Sequence, residues 1–564
     1  MSDLRRSKPL VLVLLLAFCF AWFYVLDART LVPTDEGRYA EMAREMAATN
    51  DWITPRLNGI KYFEKPPLQT WMNALTFKAF GLGEWQARLW TGLCGLFGVA
   101  LVGYTGRRVF NRRAGFTAAA VLASSFYWTA MSQMNTLDMG LAAMMTLALC
   151  GLLLGQRNGA APRQRRKWML ACWAGMALAV LSKGLIGVVL PGAVLVLYML
   201  LARDRAIWKR LYFGPGLLVF FTIAAPWFVL VSLANPEFPS FFFIHEHLQR
   251  FTSTVHHRAG PWHYFIPFLL LGIVPWLGVL AQSLWAARRR EGDGFQPKTL
   301  LLIWAGFIFC FFSISGSKLP SYILPIFPAL ALLIACYLEQ ASHKAVIASA
   351  GVLALLGAVG LVYLPNMPPM GRDPFSAPLY AGYAQWGIAA AGIALAGSLA
   401  SIGLARHRKQ LAILLLAGSS VAGSLLLLLG HEPFGRYSSG IAYVPAIRAE
   451  LTPQTPLYAV GRYEQVLPFY LERTMTLVEH ADEMEFGVKQ QPHLWIPTRE
   501  AFIEQWTADR SAGKKSLAIL GPVVYEDFLK LGVPMRVIAK DPRRAIVAND
   551  PVPANDPSRT ATTR

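Results

Sequence analysis

Residues 168–201 read WMLACWAGMALAVLSKGLIGVVLPGAVLVLYMLL, and Lys183 is their only charged side chain. The run is too long for one crossing of a hydrocarbon core about 30 Å thick, which takes about 20 residues. It divides naturally at Lys183 into two spans, 168–183 and 184–201. The flanks settle the direction. QRNGAAPRQRRK (156–167) precedes the run and ARDRAIWKR (202–210) follows it. Short loops dense in Lys and Arg stay on the cytoplasmic side. Both outer ends of the pair are therefore cytoplasmic, and the Lys183 turn faces out.

The same reading extends along the chain. Apolar runs are expected to cross at 9–27, 87–106, 114–132, 137–156, 168–183, 184–201, 211–233, 263–285, 299–315, 320–338, 344–364, 381–404 and 410–430, which makes thirteen. With Arg5, Arg6 and Lys8 inside, the alternate loops GRRVFNRR, QRNGAAPRQRRK, ARDRAIWKR, AARRREGDGFQPK, EQASHK and ARHRKQ all carry cations. The composition agrees. Of the 564 residues 55% are hydrophobic and only 15% charged, against about 25% charged in soluble domains. The net charge of +20 is thus mostly topology. No basic face with interleaved stacking aromatics remains outside those loops, so a nucleic-acid partner is set aside. The first run has the basic flank of a signal peptide but ends on Asp27 and Arg29 without a small-residue cleavage site, and it reads as an uncleaved span. All six cysteines fall inside spans, with no CxxC spacing and no disulfide framework.

Residues 1–430 accordingly form a transmembrane domain with two sizeable outer loops, 28–86 and 234–262. Residues 431–564 form an outer domain. Its short alternating runs PLYAVG, TMTLV, SLAILG and MRVIAK, with helix-like EQVLPFYL and PVVYEDFL between them, predict a small α/β fold. The final stretch DPVPANDPSRTATTR is expected to be disordered. In the first outer loop, TDEGRYAEMAREM predicts an amphipathic helix on the membrane surface, with Asp35 and Glu36 in its first turn.

Charges on the outer rim carry the chemistry. NGIKYFEKPPLQTW (58–71) sets Lys61, Glu64 and Lys65 beside prolines and aromatics, LSKG holds Lys183, and SGSKLPSYILP holds Lys318 followed by Tyr322. The second loop contributes FFFIHEHLQRF with His245, His247 and Arg250, and MNTLDMG places Asp138 in a short turn. Each has an ordinary structural alternative. Lysines can snorkel to the interface, Glu246 and Arg250 can pair at i,i+4, and Asp138 can cap a helix. Together, acids and cations on one face suit transfer of a sugar from a lipid phosphate. The leaving phosphate gains negative charge that Lys and Arg stabilise. On the opposite face of the anomeric carbon an Asp can take a proton or stabilise an oxocarbenium-like centre. Asp35 fits that role best and Asp138 supports it, while Glu36, Tyr39 and Tyr62 are candidates for substrate contact or loop positioning. Glu64 with His245 or His247 could hold a structural zinc tying the two outer loops together. Solvated loop residues are the alternative.

TDEGRYAEMAREM, NDWITPRLNGIKYFEKPPLQTW, LSKG and SGSKLPSYILP, in this order, resemble the lipid A aminoarabinose transferases, members of the polyprenyl-phosphate-dependent GT-C glycosyltransferases. The resemblance covers the membrane half. It implies a polytopic α-helical GT-C fold with a C-terminal periplasmic α/β domain and a catalytic Asp in the first outer loop, matched by Asp35. It also implies donor-phosphate cations matched by Lys65, Arg250, Lys183 and Lys318, with Tyr322 beside them. The donor it implies is undecaprenyl-phosphate aminoarabinose, the acceptor is lipid A phosphate, and the setting is the lipid of a Gram-negative inner membrane. No cofactor is required. Two other readings stay open: the same fold moving another sugar to lipid A, a glycan or a protein, and a transporter or flippase of lipid-linked substrates. A flippase would place its ionisable residues near the bilayer midplane, in repeated halves.

Overall fold

A computed structural model describes residues 8–249, 260–290, 294–367, 370 and 374–550. They fall into two compact units. The first runs to Arg29 and continues through Phe63–Met370 and Pro378–Glu432; the second comprises Thr30–Tyr62, Gly371–Ala377 and the chain from Pro433.

The first unit is helical. Leu137–Gln156 is its central helix, apolar and buried nearly all round, as a helix without a polar face must be. It packs along Pro162–Lys183, and the two come close because Gly175 has no side chain. A Cβ there would stand 2.6 Å from Ala148 N, so packing rests on backbone approach, the usual means where lipid removes any hydrophobic drive between helices.

Among the described residues, eight helices are long and apolar enough to cross a membrane, nine if one bent pair counts as a span. The expected thirteen straight spans are not all present as such. The 263–285 run is broken into Phe265–Gly272 and Leu277–Ala286, bent by 103°. The 114–132 run is broken at Ser125, between Arg112–Ser124 and Phe126–Ser132. The two breaks satisfy one another. Phe126 donates its N–H to Val274 O at 3.1 Å, Trp276 Nε1 donates to Ser124 Oγ at 2.9 Å, and Ser420 Oγ donates to Ser124 O at 2.9 Å. Freed backbone groups at membrane depth need such partners. Ser125 Oγ also bonds back to Val121 O, a contact that bends helices. Periodicity of apolar residues cannot register these breaks.

The second unit holds a hairpin, β1 (Arg56–Leu57) and β2 (Ile60–Lys61), and a six-stranded sheet. The sheet comprises β3 (Leu457–Val460), β4 (Thr476–Val478), β5 (Trp495–Ile496), β6 (Leu517–Leu520), β7 (Arg536–Asp541) and β8 (Arg544–Ala548). The order is β5-β4-β3-β6-β8-β7. The first four strands are parallel and the last two pairings antiparallel. Helices Arg499–Ser511 and Pro522–Lys530 cover one face through Phe502, Trp506, Val524 and Phe528. The expectation of disorder at the C-terminus concerns residues 551–564, which lie outside the described ones.

The helix Asp35–Thr49 starts where its acids placed it, yet it does not present an apolar face to a membrane. Glu36, Arg38, Tyr39, Ala40, Glu41, Met42 and Glu45 are all buried within the second unit. The reason is ionic. Arg44 chelates Glu41 at 2.6 and 2.7 Å, Arg38 reaches Glu483 at 2.7 Å, and Glu45 accepts the N–H groups of Asn58 at 2.5 Å and Gly59 at 2.7 Å. Polar side chains expected to face water are instead spent on internal bonds.

Candidate active site

Each unit gathers part of the outer-rim set. In the first unit Asp138 occupies the first turn of Leu137–Gln156 and Lys183 ends Pro162–Lys183. The macrodipoles favour an acid at the one end and a cation at the other. The Lys183 ammonium pairs with Asp138 Oδ1 and stands 4.8 Å from the centre of the Tyr322 ring. Tyr322 is carried by the 3-10 turn Pro320–Ile326 and packs on Phe312, 5.0 Å between ring centres. Three segments far apart in the chain thus converge on one cation, held by a carboxylate on one side and a π face on another.

The remaining residues of this unit differ in situation. Lys65 Nζ donates to Glu64 O at 2.9 Å and to Glu64 Oε2 at 3.4 Å, so Glu64 serves its neighbour's ammonium. Lys318 is almost wholly buried, and its Nζ donates to the carbonyls of Phe312, Ser313 and Ser315 at 3.4, 2.7 and 2.9 Å. It closes the C-terminal end of Pro297–Ile314 with all three of its protons, where the sequence suggested a phosphate ligand or a snorkelling side chain. His245 is exposed on Ser240–Gln249 and stacks on Phe241 at 5.2 Å. Arg250 lies outside the described residues. Among those described, no three His, Cys, Asp or Glu side chains come together as a metal would need.

In the second unit Asp35 keeps nearly half of its side chain exposed while Arg38 Nη1 donates to its Oδ1 at 3.2 Å. Arg38 is itself anchored by Glu483, whose Oε2 also accepts from the Tyr62 hydroxyl at 3.4 Å. Tyr39 and Tyr62 are buried, and Glu36 accepts the Val32 N–H at 3.0 Å. Glu36, Tyr39 and Tyr62 therefore support the loop, and Asp35 is the acid among these four that reaches solvent. Glu483 and Gln465, which donates to Glu483 Oε1 at 2.8 Å, were not singled out from the sequence. No local signal joins them to a helix more than 400 positions earlier.

A family model described as the aminoarabinose transferase C-terminal domain matches residues 443–549. Another, described as dolichyl-phosphate-mannose-protein mannosyltransferase, matches residues 64–230. The crystal structure of ArnT from Cupriavidus metallidurans bound to undecaprenyl phosphate superposes with a TM-score of 0.92 at 40% identity, covering 96% of this chain and 98% of that one. The chain belongs to the ArnT family. The apo form of the same ArnT gives a TM-score of 0.90 over the same spans. Among curated relatives, the undecaprenyl phosphate-alpha-4-amino-4-deoxy-L-arabinose arabinosyl transferase of Edwardsiella ictaluri is 35% identical over 58% of this chain and 59% of its own length. One from Pseudomonas fluorescens is 34% identical over 65% and 67%. This ArnT-family chain thus matches less than two thirds of the Edwardsiella relative, although it spans nearly all of the solved one. Like its relatives it is a multi-span membrane protein.

Proposed function

We propose that this protein transfers 4-amino-4-deoxy-L-arabinose from undecaprenyl phosphate to the phosphates of lipid A, with inversion at the anomeric carbon. Its residues 1–430 would form the membrane-embedded catalytic domain in the inner membrane of a Gram-negative bacterium, and residues 431–564 an α/β domain in the periplasm. The observation that carries the reading is the Asp138–Lys183–Tyr322 cluster in a chain that spans almost the full length of an ArnT seen with the lipid carrier bound.

Lys183 and Lys65 receive the carrier phosphate, with Arg250 as a further cation; Asp138 and Tyr322 hold the Lys183 ammonium. A lipid A phosphate oxygen attacks the anomeric carbon as the bond to the carrier oxygen breaks, and that electron pair leaves on undecaprenyl phosphate. Cations fixed in place lower the barrier because they need no reorganisation as this charge develops. A phosphate acceptor is ionised at neutral pH, its second pKa being about 6, so Asp35 acts by orienting and by electrostatic stabilisation rather than by removing a proton.

Expression in a strain that makes the aminoarabinose carrier lipid but lacks its own transferase tests the reading. Lipid A should gain the mass of the sugar, and polymyxin resistance should rise. Unmodified lipid A, with the protein and the donor both confirmed in the membrane, would overturn it.

A further inference from the structure

Three buried amides join the helix that follows Lys65 to the turn that precedes Asp138. Asn135 Oδ1 accepts from Gln69 Nε2 at 2.7 Å and from Asn73 Nδ2 at 2.8 Å, and Gln69 Nε2 also lies 3.4 Å from Asn73 Oδ1. All three side chains are at most 2% exposed. Gln69 and Asn73 lie on the helix Leu68–Phe80, which follows Lys65 after only Pro66 and Pro67. Two successive prolines leave that link little freedom. Asn135 precedes Asp138 by three residues in the turn that opens Leu137–Gln156.

The first turn of that helix is gripped from several sides. A Cβ on Gly140 would stand 3.2 Å from Trp90 Nε1, 3.6 Å from Gln69 Oε1 and 4.0 Å from the hydroxyl of Ser182, the neighbour of Lys183. Amides that bond one another in a buried setting hold their segments in one arrangement, which suits them to fixing geometry.

We propose that Gln69, Asn73 and Asn135 are positioning residues for the transfer: their bonded amides lock the segment carrying Lys65 to the turn carrying Asp138, and so fix the spacing of the two cations that receive the carrier phosphate. The inference rests on the assignment of Lys65 and Lys183 to that phosphate. A lost lock lets the cations drift apart, and misplacement by about 1 Å can cost a hundredfold.

The test uses the full-length protein in detergent or nanodiscs and measures undecaprenyl phosphate binding, together with KM for carrier and acceptor and the melting temperature. Asn135→Ala should weaken carrier binding about tenfold while the acceptor KM changes less than about twofold. Asn135→Asp keeps the oxygen that both amides donate to, and its charge falls beside a helix N-terminus, so binding should return to within about threefold of wild type. If Asn135→Ala does not fold, Gln69→Met keeps the volume, removes the donated bonds and reads the same quantity. Carrier binding equal to wild type in a folded variant, or equal losses for carrier and acceptor, would overturn the proposal. A wild-type protein that binds no undecaprenyl phosphate would instead overturn the assignment of the cations, and the proposal with it.

Discussion

The two units hold their charges by opposite means. In the first, Asp138 and Lys183 form a single ion pair, each at the helix end whose dipole favours it. In the second, Glu41, Arg44, Arg38 and Glu483 crowd into one buried network around a single helix, and Asp35 is the member left half in water. Where charge is scarce, removing a partner threatens the fold as well as the chemistry. Where charge is abundant, the exposed acid can be changed with little structural cost.

The largest expected effect separates these cases. Asp35→Asn should lower turnover by about a hundredfold or more while the melting temperature stays near wild type, because the side chain is 47% exposed and the arginine that donates to it is also held by Glu483. Turnover and melting curves on the same preparation decide it. Near-normal turnover would remove Asp35 from the chemistry.

Lys183→Met should harm both. The pair is mostly buried, its side chains 16% and 10% exposed, and stranding the Asp138 carboxylate should cost about 3 kcal/mol. Asp138→Asn combined with Lys183→Met should regain most of that stability and none of the transfer. If the double variant melts no higher than Lys183→Met alone, the stranded charge is not the cause.

This contrast also explains what could be read in advance. Spans, basic loops and the outer-rim cations stand out because one charge in an apolar run is conspicuous; Asp138 and Lys183 are legible on that ground, and Tyr322 only through its place after Lys318. Strands β3, β4, β6 and β7 were marked by alternation between turn residues. Strand β8, Arg544–Ala548, was not, although it is as buried throughout as β3 and β6, and two-residue β5 is too short to register. The burial of Asp35–Thr49 was missed because amphipathic spacing does not reveal what a helix packs on. Glu45 illustrates the limit. Nothing local ties it to the turn at Asn58 and Gly59, and an acidic residue on a loop helix reads as solvated.

Glu45 supplies a pH signature that the first unit has no reason to share. Burial, and then the neighbouring Glu41 charge, push its carboxyl up from 4.5 to about 8, against the opposing pull of the Gly59 and Asn58 amides and Arg44. Between those pH values the folded state holds a proton that the unfolded state has lost. Stability of the second unit should therefore fall as pH rises through this window. Glu45→Gln should flatten the slope while one acceptor oxygen still reaches the turn. Denaturation midpoints between pH 5 and about 8 measure it, and an unchanged slope in Glu45→Gln would assign the effect to other groups.

The smallest effect asks which part of Tyr322 matters. The Lys183 ammonium stands over the ring, 4.8 Å from its centre, so the face of the ring holds the cation. Tyr322→Phe keeps that face and should leave carrier binding within about threefold of wild type. Tyr322→Leu removes it, and at about 1 kcal/mol for a partly desolvated cation–π contact the loss should be about fivefold. Equal losses in the two variants would shift the role to the hydroxyl and make Tyr322 a direct ligand of the phosphate. Equal retention would take Tyr322 out of the groups that hold Lys183 and leave the ion pair with Asp138, the simplest form the contrast between the two units can take.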